Sequence, residues 1–239
     1  MRKVAGISGI SLLALLAACG ANSEDMKKLE DSQRQILAKL TDLEKKVEQL
    51  SARPAAPQAP QIDPNKVYNL PAGDSPFKGP AKAPVILTEF SDFQCPFCAQ
   101  LPSLMDQVLK AYPNEVKLVY KEFPLTSIHQ NALNAAKAAL AAQKQGKFWE
   151  IHDKLFANQR ALSPDSLKQY AQESGLDVAK FEKDMTSPEV QKQIDADMKL
   201  AQEADVRGTP SLFLNGKRVM NRSFEGLKQM IDEALKQKS

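Results

Sequence analysis

The sequence predicts an α/β domain with an inserted helical subdomain, preceded by a separate N-terminal coiled-coil helix. Three stretches carry that prediction. Ile86, Leu87 and Phe90 form the apolar run of a strand covered on both faces; a short turn later, Cys95-Pro96-Phe97-Cys98 opens a helix whose apolar positions Leu101, Leu104, Met105, Val108 and Leu109 recur at helical spacing. Between His129 and Asp205 the patterns are helical, with strand patterns on either side. From Met26 to Leu50 apolar residues recur at alternating steps of three and four, the mark of a heptad seam.

In chain order, Met1-Arg2-Lys3 is a short basic start, and Val4 to Ala18 is an apolar stretch too short for a comfortable membrane span. It ends Leu16-Ala17-Ala18-Cys19, which resembles a bacterial lipobox. That resemblance implies a signal peptide over 1–18 and an acylated Cys19 as the mature N-terminus. A plain signal peptide cut near Ala18, or an uncut anchor, is the other reading. Several acyl chains at about 0.8 kcal/mol per buried methylene hold a protein on a bilayer. Gly20, standing where an acid would be the alternative, resembles the sorting pattern that favours the outer membrane of Gram-negative cells.

Residues 19–50 form the lipid-anchored oligomerisation segment. Met26, Gln33, Leu40 and Val47 occupy a, and Leu29, Ile36, Leu43 and Leu50 occupy d. Lys39 at g reaches Glu44 at e of a parallel neighbour, while Asp25 and Glu30 in the equivalent pair repel. So narrow and regular a stripe suits another helix better than a globular surface, so a homodimer or homotrimer through 24–50 is expected. A single amphipathic helix lying on the folded domain is the alternative. Polar Gln33 at a is expected to fix the register, and the seam leaves two or three strands open.

Residues 51–73 are a linker. Pro54, Pro57, Pro60 and Pro64 among Ala and Gln make 51–64 a semi-rigid extended segment, roughly 40 Å at about 3.1 Å per residue. Val67, Tyr68 and Leu70 read as an edge strand before turns marked by Pro71, Pro76 and Pro80. The folded domain covers 74–239, with its helical insertion at about 129–205. Its strands are Val85 to Phe90 and, parallel to it, Val116 to Phe123. Helices follow at Asn131 to Gln145, Phe148 to Asn158, Ser163 to Gly175, Asp177 to Met185 and Pro188 to Ala204, with Ser163 as cap and Pro164 at the first position. Ser211 to Leu214, the Asn215-Gly216 turn and Lys217 to Met220 read as a hairpin, and Ser223 caps a last helix through Leu235.

The chemistry concentrates on two sulfurs. First-turn amides of a helix lack internal partners and, with the helix dipole, stabilise an anion, so Cys95 is expected to ionise more easily than a free thiol. Cys95 is read as the exposed attacking nucleophile and Cys98, one turn inward, as the resolving thiol. Pro96 fits just inside the helix start. An inert structural disulfide is the other reading, or half of a zinc site, which needs about four ligands where this chain has no further cysteine pair. His129 lines the cleft or is a lone histidine. His152 is packing or solvent-facing, and neither stands where a catalytic base is needed.

These residues resemble the DsbA-like branch of the thioredoxin superfamily. Glu89 lies six positions before Cys95, Val206-Arg207-Gly208-Thr209-Pro210 leads into Ser211-Leu212-Phe213-Leu214, and Phe123-Pro124-Leu125 and Lys147-Phe148-Trp149-Glu150-Ile151-His152 are also family-like. The likeness runs from about Asp74 to the C-terminus. It implies a thioredoxin fold with the helical insertion typical of the branch. It also implies a buried Glu89 that accepts the Cys98 proton through water; a rim carboxylate is the alternative. Thr209-Pro210 becomes a cis peptide facing the disulfide, its backbone pairing with substrate, against an ordinary trans turn. Pro96 and Phe97 become the dipeptide that tunes the redox potential, Phe97 offering no imidazole to stabilise the thiolate. No cofactor beyond the redox-active Cys95–Cys98 disulfide is implied.

Lys and Arg total 32 against 29 Asp and Glu, and two of the 32 lie in the leader, so the rest of the chain is near neutral and no nucleic-acid partner is expected. The reading is an extracytoplasmic, periplasm-facing membrane lipoprotein that forms or isomerises disulfides in cysteine-containing exported proteins, served by a membrane redox partner. A non-catalytic scaffold or surface antigen, or a copper-handling thiol protein, is the alternative.

Overall fold

The structure, a computed structural model, describes residues 23–51, 63 and 65–237. The leader 1–18, Cys19 and linker residues 52–62 and 64 lie outside the described residues, as do the side chains of 49–51. Contacts divide the chain into two units between Gln61 and Ile62.

The first unit contains helix α1, Ser23–Ser51, 29 residues long and so about 44 Å in length. The predicted seam falls on this one uninterrupted helix. Leu29, Ile36, Leu40, Leu43 and Val47 are all more than half exposed, as is Leu37 beside them. Glu24 and Asp25 sit in the first turn, where the helix dipole favours them. Lys46 pairs with Asp42 one turn back at 2.7 Å.

The second unit is built on strands β1 (Phe77–Lys78), β2 (Val85–Ser91), β3 (Val116–Glu122), β4 (Ser211–Leu214) and β5 (Lys217–Arg218), ordered β1-β3-β2-β4-β5. β2 and β3 are parallel, and β1, β4 and β5 join antiparallel to their neighbours. This is the thioredoxin fold, with a mixed sheet and helices on both faces. Alternation along β2 and β3 puts Val85, Leu87, Glu89 and Ser91 on one face with Val116, Leu118, Tyr120 and Glu122. The apolar half of that face packs under α2 (Leu101–Ala111) and α8 (Phe224–Lys236), through Leu101, Met105, Val108, Leu227 and Ile231. The polar half lies at the carboxyl ends of the strands. The opposite face buries Phe90 and Phe213 against Tyr68 and against Ala201 and Ala204 near the end of α7 (Pro188–Glu203).

The insertion between β3 and β4 is helical, as predicted: α3 (Ala132–Gln143), α4 (Phe148–Ala157), α5 (Pro164–Glu173), α6 (Val178–Met185) and then α7. Ser163, Asp177, Ser187 and Ser223 cap α5 to α8, each side chain accepting an N–H three residues on. Eight buried alanine and leucine positions make α3 the axis of the insertion. Trp149, the chain's one tryptophan, packs edge-on to His152 and Phe148 at 4.9 and 5.0 Å, and its Nε1 donates to Phe77 O at 3.1 Å.

Two expectations are corrected at the sheet edges. Val67 to Leu70 is not a strand: Val67 makes a single bridge to Lys217, and the edge beside β3 is the two-residue β1. Pro71 and Pro76 break the run, so pairing begins only at Phe77. The second arm of the predicted hairpin stops at Arg218. The Asn215-Gly216 turn is as expected, both residues having positive φ, and a Cβ on Gly216 would run into Tyr68 O. That contact also shows that the linker segment packs well before residue 74. Tyr68 N–H donates to Gly216 O at 3.0 Å and its hydroxyl to Asp205 at 2.8 Å, and Ala72 O accepts the ammonium of Lys121.

Candidate active site

The carboxyl end of β2 runs straight into a tight turn that carries the cysteines. Asp92 organises it from inside. Its wholly buried carboxylate accepts Gln94 N–H at 2.7 Å and Leu125 N–H at 2.8 Å, and meets His129 Nδ1 at 2.8 Å. Gln94 in turn accepts Asn131 N–H at 2.7 Å, which ties the loop after β3 to the turn a second time. From the insertion, Gln159 Nε2 donates to Phe93 O and Cys95 O, both at 2.8 Å. The turn is therefore held by its own aspartate and by two loops far away in sequence.

Cys95 and Cys98 are both free thiols. Cys95 O accepts the N–H groups of Cys98 and Ala99, after which residues Cys98–Gln100 make a 3₁₀ turn and α2 begins at Leu101. The thiols thus precede the regular helix, where the sequence placed them in its first turn. Pro102 explains the delay: a proline suits the first turn of an α-helix and is excluded further in, so regular helix begins beside it. Cys95 was expected to be the exposed sulfur; it is 4% exposed, and Cys98 is sealed. The cover over Cys95 is the loop before β4: Thr209 O lies 3.5 Å from Cys95 Sγ, and the Thr209–Pro210 peptide is cis, as the resemblance implied. Arg222 donates to Pro210 O at 2.8 Å, and Arg218 donates to Ala204 O, Asp205 O and Ser211 Oγ, which fixes this loop against β5. Pro96 and Phe97 turn outward, Phe97 being 66% exposed.

Glu89 is fully buried on β2 beneath the turn, not a rim carboxylate. Burial pushes its carboxyl up to about 7, opposed by the nearby Ser91 hydroxyl. Burial also pushes the Cys98 thiol far above its ordinary range, and the charges of Cys95 and Glu89 act in the same direction. Ser91 lies close to Glu89, Cys98 and Tyr120, and favours the charged form of each, although its hydroxyl makes no hydrogen bond within ordinary geometric limits.

The structure therefore gathers Cys95, Cys98, Glu89, Thr209 and Pro210 at one place, with Pro96 and Phe97 on its outer rim; Cys19 is outside the described residues. Sequence reasoning missed Asp92, Gln159, Ser91 and Glu122. The Asp-x-Gln spacing of an Asx turn was a usable signal for Asp92. His129 has a partner in Asp92. His152 is buried against Phe93, Tyr120 and Phe156, and burial lowers its pKa. Among the described residues no group of three or more His, Cys, Asp or Glu is arranged to hold a metal ion, and no helix is long and apolar enough to cross a membrane.

A thiol pair at the carboxyl end of a parallel strand, crossed by a proline loop and underlain by a buried acid, is the arrangement of a thioredoxin-type thiol site. Residues 72–233 match the family described as thioredoxin, and the chain belongs to that family. The fold is shared with a thioredoxin-like oxidoreductase from Silicibacter pomeroyi, at 32% identity and a TM-score of 0.61 over 69% of this chain and 94% of that one. It is also shared with oxidised BdbD from Bacillus subtilis, at 23% identity and a TM-score of 0.65 over 71% and 97%. Among curated proteins, a Na(+)/H(+) antiporter NhaA 3 of Salinispora tropica is 40% identical over 141 residues, 59% of this chain and 22% of that protein. The chain thus spans about a fifth of the length of the curated relatives it matches.

Proposed function

We propose that this protein is an extracytoplasmic thiol–disulfide exchange enzyme acting on cysteine-containing exported proteins, with Cys95 as the exchanging sulfur and Cys98 as its resolving partner. The observation that carries the reading is the layering of the site: Cys95 beneath the Thr209 carbonyl, Cys98 sealed behind it, Glu89 buried below. In disulfide formation, a substrate thiolate attacks Cys95 in the Cys95–Cys98 disulfide. Cys98 leaves as a thiolate and takes the proton held by Glu89. A second substrate thiolate then displaces Cys95, so the substrate is oxidised and the enzyme becomes a dithiol. In isomerisation, Cys95 thiolate opens a wrong bond and is itself displaced by another thiolate of the same substrate. Phe97, exposed beside the sulfurs, gives the substrate an apolar contact.

The seam on α1 supports self-association as a dimer or trimer, which would present several sites to one misfolded chain and favour isomerisation. The leader supports a lipid anchor at Cys19, with the outer membrane favoured, and a membrane redox partner that resets the thiol pair.

The test is exchange with glutathione and with a scrambled disulfide substrate. Cys95→Ser is expected to abolish both activities, and Cys98→Ser to accumulate a mixed disulfide on Cys95. Full activity in Cys95→Ser would overturn the assignment, and a wild type with neither activity would leave a non-catalytic scaffold. The double variant I36K/L43K, with charges at two d positions, is expected to sediment as a monomer and to lose repair of scrambled bonds while retaining simple exchange. A wild type that sediments as a monomer ends the oligomer reading.

A further inference from the structure

This inference rests on the exchange reaction proposed above and concerns where its protons go. Parallel register sets Glu89 beside Tyr120 and Ser91 beside Glu122, and alternation turns all four side chains to the face that carries Cys98. Each is at most 2% exposed. Glu89 Oε1, the hydroxyls of Ser91 and Tyr120, and both carboxyl oxygens of Glu122 have no hydrogen-bond partner among the described residues. An ionised carboxylate with two unmet oxygens is far costlier to bury than a carboxylic acid.

The surroundings of Glu122 point the same way. Glu89 and Asp92 face it from β2 and the active-site turn, Tyr120 from its own strand, and Asp197 from α7. Asp197 accepts Glu122 N–H at 3.1 Å and pairs with Lys121 at 3.1 Å; Lys121, one residue along β3, points to the other face. His129 is turned to Asp92, and His152 packs on the Tyr120 ring. Burial first, then the like charges of Asp197, Asp92 and Glu89, push the Glu122 carboxyl well up.

We infer that Glu89 and Glu122 act as one acid pair sharing a proton across β2 and β3, bridged by the hydroxyls of Ser91 and Tyr120, and that this pair is the acceptor for the Cys98 proton. Two carboxyls set diagonally on one buried face, each disfavouring ionisation of the other, do not both ionise in a dry site, so the pair holds one proton and one negative charge. When Cys98 resolves a mixed disulfide, its S–H proton moves to the pair, which becomes neutral with two protons. The negative charge passes to Cys98 sulfur, which bonds to Cys95 and expels the substrate thiolate. In the reverse direction the pair returns that proton to Cys98 as it leaves. One negative charge is thus handed from the pair to Cys98 sulfur and out with the substrate thiolate, and it comes back by the same path in reverse. Glu122 is placed to touch neither sulfur, so it is a positioning residue that acts through Ser91 and Glu89.

Glutathione attached to Cys95 gives the measurement: the rate at which Cys98 expels it, followed against pH in the full-length protein. In Glu122→Gln the like charge is gone and Glu89 becomes the sole and weaker base. The inflection is expected to move about one unit toward acid, with resolution at neutral pH up to about tenfold slower. Infrared spectra supply a second readout that needs no variant. The wild type is expected to keep a protonated-carboxyl C=O band at pH 8, which Glu122→Gln removes. A wild-type spectrum lacking that band, or a Glu122→Gln pH profile that superimposes on wild type, overturns the shared pair while leaving the exchange reaction standing. A wild type that exchanges no disulfide at all sinks both.

Discussion

At Glu89 the folded carboxyl titrates near neutrality, at about 7, against 4.5 for an ordinary glutamate. Below pH 4.5 the folded and unfolded chains both hold the proton and the group is silent. Between 4.5 and 7 only the folded chain keeps it, so stability falls as pH rises through that window, by roughly 3 kcal/mol in total. Glu89→Gln removes this slope. It is expected to be more stable than wild type by about that amount at pH 8 and equal to it near pH 4, as read by urea midpoints at the two pH values. Its exchange rate should fall, because in the proposed reaction the acid that destabilises the fold also handles the Cys98 proton. At this scale the sequence showed the sulfurs, Glu89 and the Thr209-Pro210 loop, since each lies in a short recognisable run. It did not show Glu122 as a partner of Glu89, because the two are neighbours only through the register of β2 on β3. Nor did it show that Thr209 O would cover Cys95, a contact between residues far apart in the chain.

At the scale of elements, a buried ion pair reinforces the apolar packing of α7 on the sheet. Lys121 and Asp197 are 4% and 2% exposed at the side chain and 3.1 Å apart, and Asp197 also takes the N–H of Glu122. Asp197→Ala leaves a buried ammonium with Ala72 O as its one partner among the described residues, and is expected to cost about 3–5 kcal/mol by chemical denaturation. Replacing both partners, as K121M/D197L, should cost much less, since no charge is then stranded. Elements with their own local signals were legible to within a few residues: α5 and α8 by their Ser caps, β2 by its apolar run, β3 by alternation. β1 was not, because two residues carry no period, and its existence depends on β3 offering an edge. Tyr68 was read within a linker, yet its ring packs on Phe213 and its backbone closes on Gly216.

Over the whole molecule, the two units have opposite surface chemistry. The second unit buries most of its large apolar side chains and exposes only scattered ones such as Phe97 and Ile128, whereas α1 shows a stripe of Leu29, Ile36, Leu40, Leu43 and Val47, each at least 51% exposed. A stripe on that scale is what a helix–helix contact removes from water. The shift to proline, alanine and glutamine after Ser51 marks a linker in the sequence, while contacts divide the chain between Gln61 and Ile62. The start of the packed domain was not legible in the sequence, because it is set by contacts from Lys66 and Tyr68 to Asp205. The ring cluster inside the second unit has a practical consequence. Trp149 packs against Tyr120 at 6.4 Å, Tyr120 stacks on Phe93 at 5.4 Å, and Phe93 is two residues from Cys95. Because no other indole exists in the chain, its emission is an internal optical gauge of that wall. Opening or closing the Cys95–Cys98 bond is expected to change Trp149 fluorescence without any label, and Phe93→Leu, which severs the relay of rings, to mute the change. A stopped-flow trace could then time each half-reaction on the unmodified protein, substrate by substrate.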